Sequence, residues 1–282
     1  MFSRLLKKLS EGPLLLDGGM AAALSARGFP QSRPPELACL ESPELLKEVH
    51  TGFRDSGSDV FLTNSFGGNE FRLEKHSLGS NQEEILLSSA RIAREVAGSG
   101  VLVAGSMGPS GREDLSLQVL EAAFARQAEF LAKGGVDFFF IETMQNPEEA
   151  AAAVRGAERS GLEVCVSMCF PSGIPDDSLL AELVQRMEDT GAVAMGANCS
   201  PSSHGMPDLI SRVSRFSSLP LIAKPSAGLP LMENGKPVYR LSPEDFACDL
   251  LRAQDAGASL LGGCCGVEAG HIAELHRQWK HP

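Results

Sequence analysis

The chain has 282 residues, which is enough for one large domain or two small ones. Apolar residues make up 43% and charged residues 22%, a balance typical of globular proteins that excludes disordered and fibrous classes. The net charge of -11 would repel phosphate backbones, which excludes general nucleic-acid binding.

Residues 1–12 predict a short amphipathic helix whose basic residues Arg4, Lys7 and Lys8 form a solvated surface. This segment lacks an apolar run long enough for a signal peptide, and no stretch approaches the roughly 18 apolar residues of a membrane span. We therefore expect a cytoplasmic protein with no membrane partner. In that compartment disulfides are rare, so the seven cysteines are expected to be free thiols or metal ligands.

Short apolar runs alternate with longer helical patterns along the chain, and most of the helical patterns end at glycine. The runs predict strands at 14–17, 59–64, 101–106, 138–142, 163–168, 193–198, 219–224 and 259–263. Helices are predicted at 42–56, 82–97, 117–133, 146–160, 177–189 and 243–256, with terminal glycines Gly57, Gly98, Gly134, Gly161, Gly191 and Gly257. Strands that are apolar throughout indicate a parallel sheet covered on both faces.

Eight strand–helix units in this length predict an α/β fold, a single (β/α)₈ TIM barrel forming one domain over residues 1–282. A doubly wound open sheet is the alternative. In a barrel the functional site lies at the C-terminal ends of the strands. Polar and thiol residues follow most of these ends: Asp17-Gly18-Gly19-Met20, Thr63-Asn64-Ser65-Phe66, Ser106-Met107-Gly108-Pro109, Glu142-Thr143, Asn198-Cys199, Pro225-Ser226-Ala227-Gly228 and Gly263-Cys264-Cys265-Gly266.

Three of these thiols, Cys199, Cys264 and Cys265, predict a zinc site at the rim. Three protein ligands leave one tetrahedral position open, as in catalytic zinc sites. Three thiolates on Zn²⁺ leave one net negative charge, which suits a substrate thiol better than the generation of hydroxide. We expect a zinc-bound substrate thiolate to attack an electrophilic carbon.

The acids Asp17 and Glu142 each end an apolar strand, where a carboxylate needs a partner or a ligand. The pair suits a substrate ammonium group, and the backbone N–H groups around Gly18 and Gly19 suit a carboxylate. The alternative is that each acid pairs with a lysine or arginine or caps a helix. A thiol joined to an α-amino acid group describes homocysteine or a close relative.

On these strand-end motifs, together with Gly196-Ala197-Asn198-Cys199 and Lys224-Pro225-Ser226-Ala227-Gly228, the sequence resembles the homocysteine S-methyltransferase family over residues 14–275. The resemblance implies a zinc-binding barrel that methylates homocysteine to methionine. It implies that the three cysteines hold zinc and that the two acids hold the amino group. It also implies that Gly18, Gly19 and Thr63 line the part of the site that binds the amino-acid group of homocysteine. Asn64 and Ser106 are expected nearby.

Two departures from the family pattern bear on the zinc and on the methyl donor. Ser226 replaces an asparagine that lies close to zinc in some members, which leaves the resting fourth ligand open. Thr143 replaces a tyrosine frequent in betaine-dependent members, which argues against betaine. No D-x-H-x-x-G cobalamin motif is present, and we expect the barrel to occupy the whole chain. The donor is therefore expected to be S-methylmethionine or a methyl-corrinoid on a separate partner, with a folate protein as a further possible partner.

Three other functions remain open from the residues alone. The same cysteines suit a non-catalytic zinc store or scaffold, or a methyltransferase acting on a different thiol. A Cys264–Cys265 disulfide would indicate a redox protein, although a bridge between adjacent residues is strained. The remaining thiols are predicted to be packing residues: Cys39, Cys165, Cys169 and Cys248.

Overall fold

The computed structural model describes residues 4–229, 231–233 and 236–280. The strands are β1 (Leu14–Leu15), β2 (Val60–Leu62), β3 (Leu102–Met107), β4 (Phe138–Met144), β5 (Val164–Met168), β6 (Ala194–Ser202), β7 (Leu221–Ser226), β8 (Leu231–Glu233), β9 (Lys236–Val238) and β10 (Ala258–Leu261). The helices are α1 (Arg4–Glu11), α2 (Met20–Ala26), α3 (Ala38–Glu41), α4 (Pro43–Asp55), α5 (Glu70–Glu74), α6 (Gln82–Ala97), α7 (Leu117–Gly134), α8 (Pro147–Glu158), α9 (Asp177–Glu188), α10 (Met206–Val213), α11 (Pro243–Asp255) and α12 (Ala269–Lys280). No helix within these ranges is long and apolar enough to cross a membrane.

Eight parallel strands form one sheet in the order β1-β10-β7-β6-β5-β4-β3-β2. A parallel bridge between Leu16, just after β1, and Val60 of β2 joins the two strands at the ends of this order and closes the sheet into a barrel. The backbone N–H of Asp59 supports this closure by donating to the Leu15 carbonyl at 2.7 Å. The predicted TIM barrel is confirmed, and the open doubly wound alternative is wrong, because a doubly wound sheet has two unpaired edges.

Each predicted strand has a counterpart in the barrel, and each predicted helix is present within one or two residues of its expected ends. The predicted end of α7 at Gly134 is wrong. The helix includes Gly134, and the next residue, Gly135, takes the left-handed conformation with φ of 96°. A Cβ on Gly134 would lie 2.5 Å from the Ala90 side chain, so this glycine allows α7 to pack closely on α6. The sequence patterns missed the β8–β9 hairpin, and the predicted domain of 1–282 extends beyond the described residues.

The barrel interior is apolar at its lower end, where the strands begin. Leu5 of α1 closes this end and is 1% exposed, packed with inward-facing residues such as Phe138 and Phe140. The N-terminal helix is therefore confirmed, but its basic residues are not simply solvated. Arg4 pairs with Asp137 at 2.6 Å, and Lys8 donates to the Gly100 carbonyl at 2.9 Å.

Alternate side chains of each strand point into the barrel, from its lower end to the C-terminal ends of the strands. On β4 the inward-facing positions are Phe138, Phe140 and Glu142, and on β7 they are Ile222 and Lys224. The lower positions are apolar, and the upper ones carry charge. The same alternation that builds the core therefore places ionisable groups at the C-terminal end of the barrel.

We expect Phe140→Ala to lower the free energy of unfolding by about 3–5 kcal/mol, because it opens a cavity in a fully buried layer. Urea denaturation measures the loss, and the slope of the unfolding free energy against urea concentration should be the same in the variant and in wild type. Phe216→Ala is the control, since Phe216 is 38% exposed and should cost much less. Equal losses in the two variants would contradict the assignment of Phe140 to the barrel core.

Candidate active site

A cavity of about 490 Å³ opens at the C-terminal ends of the strands. Every predicted site residue lines it, and they come from distant parts of the chain: Asp17, Gly18, Gly19, Thr63, Asn64, Ser106, Glu142, Cys199, Cys264 and Cys265. A larger hollow of about 1040 Å³ lies between α8 and α9, and its lining contains none of these residues. The chemistry therefore points to the smaller cavity as the functional site.

The three predicted zinc ligands meet in this cavity. The Sγ atoms of Cys199, Cys264 and Cys265 all lie within 4.8 Å of one another. The sulfurs of Cys264 and Cys265 are 3.9 Å apart and the thiols are free, so no disulfide joins these two residues. Three sulfurs at this spacing form a compact set of soft donors that fits a zinc ion.

Backbone contacts hold the Cys264–Cys265 segment against the end of β7. The N–H of Cys264 donates to the Pro225 carbonyl at 2.8 Å, and the N–H of Ala227 donates to the Cys265 carbonyl at 2.9 Å. Cys199 has φ of +64°, a left-handed conformation that is costly for a residue with a side chain. This residue lies within β6 where the pairing with β7 becomes irregular, and its thiol meets the other two there.

Gly19 has a structural task that differs from its predicted role at the substrate. Its N–H donates to the Val267 carbonyl at 2.9 Å, so it is not a free donor for a substrate carboxylate in this structure. A Cβ at Gly19 would lie 2.6 Å from the Cys264 carbonyl oxygen. The absence of a side chain therefore lets the segment after β1 pack against the cysteine loop. Gly18 is similarly confined, because a Cβ at this position would lie 2.3 Å from the Val267 carbonyl oxygen.

Asp17 is a buried carboxyl group with one uncommitted oxygen. Its Oδ2 accepts from the Leu62 N–H at 2.8 Å, whereas Oδ1 is buried and has no hydrogen-bond partner among the described residues. Burial, partly offset by the charge of Lys224, raises the pKa of Asp17 to about 7. An unpartnered buried oxygen at a cavity wall is suited to accept a hydrogen bond from a ligand.

Glu142, in contrast, already has partners for both oxygens. Its Oε1 accepts from the Ser106 hydroxyl at 2.6 Å, and its Oε2 lies 3.6 Å from the Lys224 ammonium. The alternative in which an acid pairs with a lysine therefore holds for Glu142. Ser106 serves here as the partner of Glu142.

Thr63 and Asn64 stabilise the loop at the end of β2. The Thr63 hydroxyl lies 2.6 Å from that of Ser65 and accepts from the Ser106 N–H at 3.0 Å. The Asn64 amide donates to the Pro35 carbonyl at 2.6 Å. Both side chains line the cavity, but these contacts hold the protein itself together.

The sequence patterns assigned no role to Lys224 or Asn198, and the structure shows that both belong to the site. Lys224 is 3% exposed. Burial lowers its pKa, but the charges of Glu142 and Cys264 outweigh burial and hold the pKa above its usual value. The available sequence signal was a lysine directly after the apolar run 221–223.

Asn198 connects the end of β4 to the cysteines. Its Oδ1 accepts from the Thr143 N–H at 2.7 Å and from the Ser167 hydroxyl at 2.6 Å. Its Nδ2 donates to the Thr143 hydroxyl at 2.7 Å and toward the Cys264 sulfur at 3.8 Å. Thr143 has φ of +63°, so this amide stabilises an unfavourable turn directly after Glu142.

Two further residues border the thiols. Cys169 is buried as expected of a packing residue, but hydrogen bonding with Cys199 lowers the pKa of Cys169 and raises that of Cys199. Tyr239 follows the β8–β9 hairpin, and its ring lies directly against Gly266. Burial and the neighbouring Cys265 raise the pKa of Tyr239 to about 12. Sequence spacing identified neither contact, because each depends on segments folded together from different strands.

Comparisons with a protein family, with individual proteins and with solved structures each give matches over nearly the whole chain. A family profile described as homocysteine S-methyltransferase matches residues 14–279. Methionine synthase of Mycobacterium tuberculosis is 28% identical over 96% of this chain, which corresponds to 25% of that protein. The chain therefore spans about a quarter of the length of that relative.

Two other relatives are matched over most of their length. Betaine–homocysteine S-methyltransferase 1 of Bos taurus is 29% identical, with 96% of this chain and 73% of that protein covered. Homocysteine S-methyltransferase 1 of Brassica oleracea is 27% identical, with coverage of 99% and 98%. The metallated crystal structure of the homocysteine methyltransferase MmuM from Escherichia coli superimposes with a TM-score of 0.81 at 25% identity, covering 98% of this chain and 99% of that one.

We expect the Asp17 carboxyl group to make the metal-free protein less stable as the pH rises. Its pKa is raised from 3.8 to about 7, so between these values the folded protein keeps a proton that the unfolded chain has released. Asp17→Asn should therefore match wild type near pH 4, and above pH 7 its free energy of unfolding should exceed that of wild type by on the order of 4 kcal/mol.

Urea denaturation from about pH 4 to pH 8 measures this difference. Asp114→Asn is the control, because hydrogen bonding to Arg112 lowers the pKa of Asp114 to about 2 and the group does not titrate in this window. A difference between Asp17→Asn and wild type that stays constant with pH would contradict the raised pKa.

Proposed function

The chain belongs to the homocysteine S-methyltransferase family, and we propose that it transfers a methyl group to the homocysteine thiol, producing methionine, in the cavity described above. The observation that carries this proposal is the meeting of three thiols, within 4.8 Å of one another, with a buried carboxyl group that has a free oxygen. The thiols suit the sulfur end of the substrate, and the carboxyl group suits its amino end. A simple zinc store would have no need for the second feature.

We propose that Cys199, Cys264 and Cys265 hold a zinc ion, because their sulfurs form the donor set and spacing that such an ion requires. Among the described residues this group contains three ligands, which leaves one tetrahedral position for the substrate sulfur. When bound, zinc would favour loss of the thiol proton at neutral pH and keep the sulfur nucleophilic. The Ser226 hydroxyl donates toward the Cys199 sulfur at 3.7 Å.

The amino-acid end of homocysteine is proposed to lie against Asp17 and Glu142. The free Oδ1 of Asp17 accepts a hydrogen bond from the substrate ammonium, which also supplies a positive charge that favours the ionised carboxylate. Glu142 contributes negative charge from beside this position while Ser106 holds its carboxylate. Gly18 and Thr63 line the same end of the cavity.

Methyl transfer forms a sulfur–carbon bond and breaks the bond between the methyl carbon and its donor. The protein has to align the two reactants and keep water out, which is a matter of orientation and enclosure. Met20, Phe66 and Tyr239 contribute largely apolar surface to the cavity lining. The product sulfur is an uncharged thioether, a weaker partner for a cation than a thiolate, so product release is favoured.

We expect purified wild type to contain about one zinc per chain, and Cys265→Ser to lose it, because two sulfurs cannot complete the site. Cys248→Ser is the matched control, since Cys248 is an exposed free thiol on α11. Metal analysis after dialysis against a chelator measures the content. Zinc X-ray absorption should also gain a sulfur neighbour when homocysteine is added. Full zinc and activity in Cys265→Ser, or no added sulfur in wild type, would overturn the proposal.

For the donor, we expect methionine formation with S-methylmethionine or with a methyl-corrinoid protein as the methyl source. The cavity combines two acids with three thiols, a setting compatible with a cationic sulfonium, and Thr143 follows Glu142 where betaine-dependent relatives often carry tyrosine. A screen at fixed homocysteine compares these donors with betaine, methyltetrahydrofolate and free methylcobalamin. Efficient methionine production from betaine alone would contradict this choice.

A further inference from the structure

We propose that Lys224 is a substrate-binding residue whose ammonium group stabilises the negative charge of the substrate sulfur beside the cysteines. This inference rests on the proposed function and adds to it a residue that acts on the sulfur end of the substrate. It assigns to Lys224 a second task besides its ion pair with Glu142.

The first support is the location of Lys224. It lies on the inward face of β7, is 3% exposed, and lines the cavity together with both acids and all three cysteines. The charges that act on it come from Glu142, Cys264, Asp17 and Cys265. Lys224 therefore shares one cavity wall with both the carboxyl groups and the thiols.

The second support is the hydrogen-bonding capacity of Lys224. An ammonium group has three donors, and the contact that the structure shows for it is 3.6 Å to the Glu142 Oε2, longer than a hydrogen bond. Glu142 meanwhile receives a strong hydrogen bond from Ser106 at 2.6 Å. Lys224 thus keeps donor capacity that a ligand in the cavity can use.

The third support is the pairing of β6 with β7. Lys224 lies opposite Asn198 in the register of these strands, and the Asn198 amide donates toward the Cys264 sulfur at 3.8 Å. Two neighbouring inward-facing residues thus present N–H groups at the same end of the barrel as the sulfurs. Hydrogen bonds and positive charge beside a thiolate stabilise its charge.

A charge argument explains why such a cation is required. Three cysteine thiolates, a zinc ion and a substrate thiolate carry two net negative charges, and Asp17 and Glu142 lie in the same cavity. Like charges in a buried site repel strongly, because water screens them poorly. Lys224 supplies a positive charge in the same cavity that offsets this repulsion.

The test compares three ligands that separate the two ends of the substrate. L-homocysteine has both ends, 1-propanethiol has only the sulfur, and L-norleucine has only the amino-acid group. Binding to zinc-loaded wild type, Lys224→Met and Lys224→Arg is measured by calorimetry. Sulfur binding is followed separately in the cobalt-substituted protein by the thiolate-to-metal charge-transfer absorption.

We expect Lys224→Met to weaken homocysteine and 1-propanethiol binding at least tenfold while changing norleucine binding less than twofold. Lys224→Arg retains the charge and should restore much of the 1-propanethiol affinity. Equal weakening of norleucine, or unchanged 1-propanethiol binding in Lys224→Met, would overturn the inference.

A double variant separates this effect from simple neutralisation of Glu142. Lys224→Met leaves the Glu142 charge buried without its cation, which could misfold the variant. Glu142→Gln/Lys224→Met removes both charges and so avoids this cost. We expect the double variant to bind 1-propanethiol as weakly as Lys224→Met. Restored binding would show that Lys224 serves only Glu142. Failure of wild type to bind any thiol would instead refute the proposed function, whereas normal wild-type binding with unaffected variants refutes only the role of Lys224.

Discussion

The balance of buried charge at the top of the barrel is the constraint on which the site depends. Asp17, Glu142 and Lys224 are each at least nine-tenths buried, on three different strand ends of one closed sheet. Lys224 pairs with Glu142 and partly offsets the cost of burying Asp17, because an uncompensated charge in such surroundings is costly. The lower barrel needs no such balance, since residues such as Phe138 and Phe140 fill it with apolar groups.

Closure of the sheet makes this balance possible. In a closed parallel barrel every strand ends at the same rim, so residues far apart in sequence reach one cavity. Cys199 and Cys264 are separated by 65 positions, yet their sulfurs lie within 4.8 Å of each other. Local devices then refine the placement: the left-handed turn at Cys199, the Asn198 amide that stabilises Thr143, and the glycine at position 19 that admits the cysteine loop.

The matched relatives differ in how much of their length this barrel accounts for. The match to MmuM extends over nearly the full length of both chains, whereas the match to methionine synthase of Mycobacterium tuberculosis covers a quarter of that protein. The same barrel therefore occurs with and without a large additional part. Two departures of this chain from the family pattern lie beside the acids and the thiols, where differences would affect the metal and the donor. Thr143 lines the cavity directly after Glu142, and Ser226 lies against the Cys199 sulfur.

The sequence by itself determined the eight barrel strands, the longer helices between them and most of the residues at the rim. Those features follow from local periodicity, capping residues and the rule that sites lie at strand ends. Only the tertiary structure decided how the rim residues are partnered: Lys224 with Glu142, the Gly19 N–H with Val267, and Cys169 with Cys199. The physical reason is that hydrogen bonds and ion pairs depend on angstrom distances between segments remote in sequence, and periodicity carries no information about those distances.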